Sequence, residues 1–377
     1  MPVPEELFAA LRRHPDVEAP NLYAVDGADR LILDEAADAL AEAGPGRVAV
    51  IGDHYGALTL GAVAGFGASG VRVHQDPVTG ERALAGNAER AGLAGTFRSC
   101  PLGEELLTDA TVVLLQLPRS LAALTEIAET VARYADPSVI VYAGGRDKHL
   151  THAFNDVLAT CFGRVHATRG RQKSRVLVAS GPTVPPEPPT FPRRERLTDL
   201  GLDVVAHGAA FAGHTLDIGT RFLLDFLPRT DAGARTAVDL GCGTGILAVA
   251  LARQHPELRV IATDQSAAAV ASAAATAAAN GVGERVTVLR DDAMSTLADG
   301  GVDLIVCNPP FHVGAAVHTG AALAMFRAAG RVLRPGGEMW TVYNSHLRYR
   351  PALRAAVGDT EQMGRNPKFT VTRSVAR

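Results

Sequence analysis

The chain has 377 residues, 47% of them hydrophobic, which is too long for one ordinary core and predicts an α/β protein of two domains. A net charge of −3 excludes a globally basic nucleic-acid binder, so any RNA contact must rest on local patches. There is no basic and apolar leader and no apolar run of membrane-spanning length, so a soluble, cytoplasmic protein without a membrane partner is expected.

Residues 1–45 carry ten acids against Arg12, Arg13 and Arg30. Next comes an apolar run at residues 47–51, followed by Gly52-Asp53-His54-Tyr55-Gly56, and a second strand at 111–115 that ends on Gln116-Leu117-Pro118. The stretch holding Arg164, Arg169, Arg171, Lys173 and Arg175 contains no acid and is a candidate phosphate contact; the alternative is an ordinary solvated surface. Lysine is nearly absent, three against 34 arginines, which reads as a coding bias and carries no argument for RNA. Six prolines in residues 181–192 predict a stiff linker over 181–195. The four cysteines, Cys100, Cys161, Cys242 and Cys307, lack disulfide or metal spacing and are expected to be reduced thiols; Cys242 and Cys307 read as small packing residues.

The second half carries the chemistry. An extra strand is expected at 203–207. An apolar run at 236–238 leads into Asp239-Leu240-Gly241-Cys242-Gly243-Thr244-Gly245 and then an apolar helix, a strand, glycine turn and helix in sequence. Such a turn lets a ligand approach the backbone and offers helix N–H groups. The next strand ends on Asp264, followed by Gln265, where a carboxylate can accept both ribose hydroxyls. Up to here any nucleoside cofactor fits, and so does a plain tight turn; the Gly-x-Gly-x-Gly spacing differs from the dinucleotide form. An Ala-rich helix capped by Ser266 follows, then a strand at 285–289 leading to Asp291, Asp292 and Ala293. The buried strand expected at 302–307 delivers Asn308-Pro309-Pro310-Phe311 at its carboxyl end, where α/β sheets bind ligands. The Asn308 amide oxygen and the Pro309 carbonyl can accept both hydrogens of a planar NH2, and Phe311 offers a stacking face. His312 is a minor substrate candidate. Residues 333–337 read as a turn before a strand at 338–343, with Trp340 in the core.

The glycine loop, Asp264, Asp292-Ala293 and Asn-Pro-Pro-Phe together resemble the class I S-adenosylmethionine (SAM)-dependent methyltransferases that act on planar NH2 groups. Among them the chain most resembles the bacterial ribosomal RNA guanine-N2 methyltransferases. The segment Phe211 to Thr220, with Leu216-Asp217-Ile218-Gly219, resembles that family's Leu-Asp-x-Gly stretch, and Asn366-Pro367-Lys368-Phe369 its closing stretch. The resemblance implies that Gly241, Cys242, Gly243 and Gly245 form the turn at the methionine end of the cofactor. It assigns Asp239 to orienting that turn, Asp264 with Gln265 to the ribose, and Asp292 with Ala293 to the adenine, with Asp291 the rival acceptor. Asp217 closes over the cofactor and substrate. Asn308, Pro309, Pro310 and Phe311 are the catalytic tetrapeptide, and no metal is needed.

The first half is a faded copy of the second. Residues 47–58 lie over the glycine loop without a gap 189 residues upstream, which sets His54 and Gln75 against Gly243 and Asp264, and the later strand ends on Gln116-Leu117-Pro118 where the second half has Asn308-Pro309-Pro310. The expected fold is two tandem Rossmann-like methyltransferase domains from an internal duplication. Residues 1–180 form a degenerate copy that is expected not to bind SAM well and to present Arg169, Arg171, Lys173 and Arg175 to RNA, and residues 196–377 are catalytic. Ribosomal RNA or a ribosomal subunit is the expected partner and a monomer the expected state. Three alternatives stay open: methylation of adenine N6 or a protein glutamine amide by the same clamp, a non-catalytic RNA-binding assembly factor, and a nicotinamide oxidoreductase.

Overall fold

The structure is a computed structural model that describes residues 3–19, 21–310 and 320–377. The chain divides into two compact units, residues 1–191 and 192–377. In the first unit β1 (Val48–Ile51), β2 (Val71–His74), β3 (Phe97–Ser99), β4 (Val112–Gln116) and β5 (Ile140–Arg146) run parallel. They are joined by β6 (Phe162–Ala167) and β7 (Ser174–Pro182), with β7 inserted antiparallel, and the seven stand in the order β3-β2-β1-β4-β5-β7-β6.

The second unit opens with a hairpin of β8 (Arg193–Leu197) and β9 (Leu202–Ala206). Its main sheet comprises β10 (Thr236–Leu240), β11 (Arg259–Asp264), β12 (Val286–Arg290), β13 (Val302–Cys307), β14 (Leu333–Asn344), β15 (Gly358–Arg365) and β16 (Phe369–Ala376). The order is β12-β11-β10-β13-β14-β16-β15, strand for strand that of the first unit. Registers agree as well, since the pairs Ala49 with Arg72 and Val238 with Ile261 correspond after a shift of 189 in both partners. Two tandem doubly wound sheets with one order and one register are what an internal duplication leaves.

The central strands β10 and β13 are buried along nearly their whole length because helices cover both faces of a parallel sheet. Each Val, Leu or Ile sealed there contributes about 1.5–3 kcal/mol of transfer free energy. This burial is what makes these strands readable as continuous apolar runs. Trp340 is fully buried on β14 and donates its indole N–H to Glu338. The turn expected at 333–337 is a bulge within β14, where pairing with β13 jumps from Val302–Leu333 to Leu304–Glu338. β7 runs to Pro182 and β8 begins at Arg193, so the strand-free stretch between the sheets is shorter than residues 181–195. It is tied down within the first unit, where Glu129 accepts from the Thr190 N–H at 2.9 Å and from its hydroxyl.

The edge strand β9 solves its hydrogen bonding in an unusual way. The helix Ala267–Ala279 presents Ser272, Thr276 and, just past its end, Asn280 four residues apart on one face. The His207 N–H donates to Ser272, the Val205 N–H to Thr276, and the Asp203 N–H to Asn280, whose amide donates back to the Asp203 carbonyl. The otherwise apolar Ala-rich helix thereby anchors the strand that leads into the Asp217 segment. Among the described residues no helix is long and apolar enough to cross a membrane.

Candidate functional site

The strand order reverses between β10 and β13, and their carboxyl ends bring the glycine loop and Asn308 side by side, with Leu240 paired to Cys307. Gly241, Gly243 and Gly245 all have positive φ. At Gly245 (φ 77°) a Cβ would stand 3.0 Å from Ala273, so only glycine lets the loop reach the Ala-rich helix. The N–H groups of Gly241 and Cys242 donate to the Thr263 carbonyl at 2.9 and 3.0 Å, which binds the loop to the end of β11. Asp264 then accepts from the Gly243 N–H at 3.0 Å and the Ser266 N–H at 3.0 Å. Its half-buried carboxylate is thus fixed at the mouth of the loop, while Gln265 beside it is exposed.

Asp239 lies beneath the loop and is fully buried. One carboxylate oxygen accepts from the Ala248 N–H at 2.9 Å, and the other is buried with no partner among the described residues. Burial, opposed by the Ala248 bond and reinforced by the charge of Asp264, pushes its pKa up to about 7. Burial likewise drives the Cys242 and Cys307 thiols well above their usual range, consistent with packing residues and with no reactive thiolate.

Of the two rival acids after β12, Asp291 is consumed locally. It accepts from the Asp292 N–H (2.7 Å), the Thr296 N–H (2.8 Å), the Thr296 hydroxyl (2.8 Å) and the Ser295 hydroxyl. Burial raises its pKa, but these donors prevail and hold the carboxyl below the ordinary range. Asp292 stands one residue on, half-buried, and Ala293 follows with φ 46°.

Asn308 is oriented by a contact that no local pattern announces. Its amide nitrogen donates to Asp217 at 2.9 Å and to the Thr220 hydroxyl at 3.0 Å, partners 91 and 88 residues away. A carboxylate only accepts, so this contact decides which end of the amide faces Asp217. Asp217 is itself held as the cap of the helix Ile218–Leu224, accepting from the Thr220 N–H at 3.0 Å. The amide oxygen of Asn308 is left buried, with no partner among the described residues. Gly219 makes room for the arrangement, since a Cβ there would meet Asp217 at 3.0 Å, Phe369 at 3.2 Å and Asn308 at 3.4 Å. Pro309 is buried and Pro310 exposed; Phe311 and His312 lie outside the described residues.

The site therefore offers two buried, unused acceptors, on Asp239 and Asn308, on either side of the switch point. A buried acceptor without a donor costs roughly 1–3 kcal/mol, which a ligand bearing N–H groups recovers. An amino acid portion at Asp239, a ribose at Asp264 and a planar NH2 at Asn308 match this donor and acceptor pattern.

The basic cluster of the first unit is less free than its sequence suggests. Arg171 pairs with Asp34 at 3.2 Å and Glu35 at 3.6 Å, and Arg175 with Asp147 at 3.5 Å. Arg169 and Lys173 have no carboxylate partner among the described residues, and all four side chains are exposed.

Comparison with known proteins adds an independent line. The Methyltransferase small domain family matches residues 201–373, and the RLMG N-terminal domain family matches residues 4–183. A protein of Pseudomonas paraeruginosa named ribosomal RNA large subunit methyltransferase G is 36% identical over 99% of this chain and 100% of its own length. One of the same name from Streptomyces avermitilis is 34% identical over 98% of this chain and 97% of its own. Among solved structures, the T. thermophilus 16S rRNA N2 methyltransferase RsmC, in complex with AdoMet and guanosine, superposes with a TM-score of 0.73 at 24% identity. That alignment covers 96% of this chain and 97% of the other, and it establishes the fold.

Proposed function

The chain belongs to the ribosomal RNA large subunit methyltransferase G family, and on that premise we propose that it transfers a methyl group from SAM to the exocyclic N2 amine of a guanine in large-subunit ribosomal RNA. The observation that carries this reading is the buried, unpartnered oxygen of Asn308, aimed by Asp217 from behind. SAM, the methyl donor of this class of methyltransferase, supplies an electrophilic methyl on a sulfonium.

Each residue of the second unit has a task in holding the two reactants. The loop from Gly241 to Gly245 brings backbone against the methionine end, with Cys242 packed beneath it. The free oxygen of Asp239 takes the ammonium group. Asp264 and Gln265 hold the ribose, and Asp292 with Ala293 the adenine edge. Asn308 and the Pro309 carbonyl accept the two hydrogens of the guanine amine, which Pro310 and Phe311 flank.

A guanine N2 is a poor nucleophile because its lone pair is delocalised into the ring. Two acceptors on its hydrogens favour a tetrahedral nitrogen and stabilise the positive charge that develops during attack, so transition-state electrostatics serve in place of a strong base. A paired guanine must first be swung out of its stack into the pocket. The first unit supports the fold and offers Arg169 and Lys173 to the RNA, with Arg171 and Arg175 partly neutralised. We take the working form to be a cytoplasmic monomer, because each chain already carries both copies.

The test is incubation with tritiated SAM and, separately, large-subunit and small-subunit rRNA lacking the modification, followed by nucleoside analysis. Label in N2-methylguanosine from the large-subunit RNA is expected. Label in N6-methyladenosine keeps the clamp and overturns the base; no label in RNA, with SAM still bound, moves the acceptor to a protein amide.

A further inference from the structure

Seven arginines and lysines follow residue 345, and the fold sorts them by edge. β16 pairs antiparallel with β14, Asn344 opposite Phe369, so the turn before Phe369 lies at the carboxyl edge that carries Asn308, and Arg377 lies at the opposite edge. Four of the cations are engaged away from the site. Arg373 holds Glu338 and Glu361 in the sheet, Arg350 donates to the Thr360 carbonyl at 3.0 Å, and Arg377 and Arg354 meet at the far edge beside Asp359.

The remaining three, Arg348, Arg365 and Lys368, are exposed and have no carboxylate partner among the described residues. Local structure presents them. Asn366 accepts from the N–H groups of Lys368 (2.9 Å) and Phe369 (2.7 Å), which tightens the turn, and the Lys368 carbonyl takes the Ser345 N–H at 2.9 Å. The Lys368 ammonium stands 5.3 Å from the Phe369 ring centroid, and the edge of that ring borders the space beside Gly219, where a Cβ would meet Phe369 at 3.2 Å as well as Asp217 at 3.0 Å and Asn308 at 3.4 Å. Arg348 is held at φ 51°, a left-handed conformation uncommon outside glycine, just past the end of β14. Lys368 and Phe369 thus neighbour the Asp217–Asn308 pair, and Arg348 and Arg365 stand on the same edge of the sheet.

At the corresponding turn of the first unit, between β6 and β7, Arg171 is paired with Asp34 and Glu35, and Arg175, just inside β7, with Asp147, while Arg169 and Lys173 have no carboxylate partner among the described residues. At the turn beside the clamp none of the three cations has a carboxylate partner among the described residues, and uncompensated charge on the edge that carries Asn308 is the chemistry a phosphodiester needs. Building on the function proposed above, we propose that Arg348, Arg365 and Lys368 grip the backbone phosphates of the nucleotides flanking the extruded guanine, fixing the register of the RNA strand on the catalytic unit.

The test uses the full-length protein and unmodified large-subunit rRNA, with the dissociation constant measured across a KCl series. Each phosphate contact to a single strand contributes about 0.7 to the slope of log affinity against log salt. The triple variant Arg348→Ala, Arg365→Ala, Lys368→Ala is expected to lower that slope by about 2, while SAM affinity, which reports the fold, stays at the wild-type value. Arg354→Ala, a cation at the far edge, is expected to leave the slope unchanged. A triple variant with the wild-type slope, in an enzyme that still methylates rRNA, overturns this inference and leaves the function standing. A wild-type protein that methylates no rRNA overturns both.

Discussion

The two halves share one strand order and one register, and they differ at three positions of the candidate site in the second half. Where Asp264 accepts a loop N–H, its counterpart Gln75 donates to the loop carbonyls of Asp53 and His54. The polarity of the contact is inverted. Where Cys242 sits in the second half, the first has Asp53, fully buried, its carboxylate capping the N–H groups of Gly56 (3.0 Å), Leu58 (3.3 Å) and Thr59 (2.8 Å). In the second half the equivalent of Thr59, Ala248, is capped instead by Asp239 from within the strand, which leaves the loop to a ligand. Gln116 occupies the position of Asn308 and also donates to an aspartate, Asp29, at 2.6 Å. Asp29 is buried, and burial together with the charges of Asp26 and Asp53 raises its carboxyl to about 8. The first half spends the amides of Gln75 and Gln116 and the Asp53 carboxylate on internal hydrogen bonds, whereas in the second half oxygens of Asp239 and Asn308 are buried with no partner among the described residues. The sheet is common to both halves because the core needs it, and the two loops differ in which of their polar groups are spent on internal hydrogen bonds.

Exchanging the chemistry of the two halves is the strongest way to break this comparison. Asn308→Ala is expected to lower single-turnover methyl transfer by about 10²–10³-fold with SAM affinity unchanged, the scale of losing one preorganised transition-state contact. Gln116→Ala is expected to leave turnover within twofold, and a comparable loss in both variants would sink the assignment of one live clamp. Asp264→Gln writes the first half's residue into the second. It should weaken SAM binding about a hundredfold, because the amide cannot replace a charged acceptor toward the ribose; calorimetry decides.

Asp239 sharpens the comparison through pH. Its folded pKa of about 7 lies above the ordinary aspartate value near 4. The stability contributed by its bound proton is fully present below about pH 4 and is lost as pH rises through about 7. Binding a cationic amino acid group favours the ionised form, so SAM affinity should rise with pH up to about 7 and then level off. In Asp239→Asn that rise should disappear, and a variant that retains it would remove the ammonium from this carboxylate.

Two smaller effects concern the scaffold. Gly245→Ala places a Cβ at positive φ against Ala273 and should cost about 1–3 kcal/mol, read by thermal or urea unfolding. Thr276→Val removes the hydroxyl that joins β9 to the Ala-rich helix and should cost about 1 kcal/mol. A neutral Thr276→Val would leave the anchoring of β9 to Ser272, Asn280 and its β8 partner.

How far the sequence could be read follows from the range of the interactions. Strands buried on both faces write continuous apolar runs, so the strand at 302–307 was legible to the residue, and the duplication followed from a gapless 189-residue shift. The glycine loop was legible because positive φ selects glycine at Gly241, Gly243 and Gly245. What the sequence hid was contact at a distance. The stretch from Arg164 to Arg175 has no acid of its own, yet Asp34, Glu35 and Asp147 fold against Arg171 and Arg175. Asp217 read as a closing segment, and its part in orienting Asn308 needs two elements 91 residues apart. The stripe of Ser272, Thr276 and Asn280 was masked by the alanines around it. Asp292 was preferred to its rival Asp291 by resemblance, and the sequence could not show that the 291–296 turn engages the Asp291 carboxylate.

The central claim, one working copy beside one silenced copy, is tested most directly by the stoichiometry of SAM binding to the full-length chain. The account predicts one SAM per chain by calorimetry, weakened about a hundredfold in Asp264→Gln and unaffected by Gln75→Ala. Two sites per chain, or a single site that survives Asp264→Gln and disappears in Gln75→Ala, would contradict it.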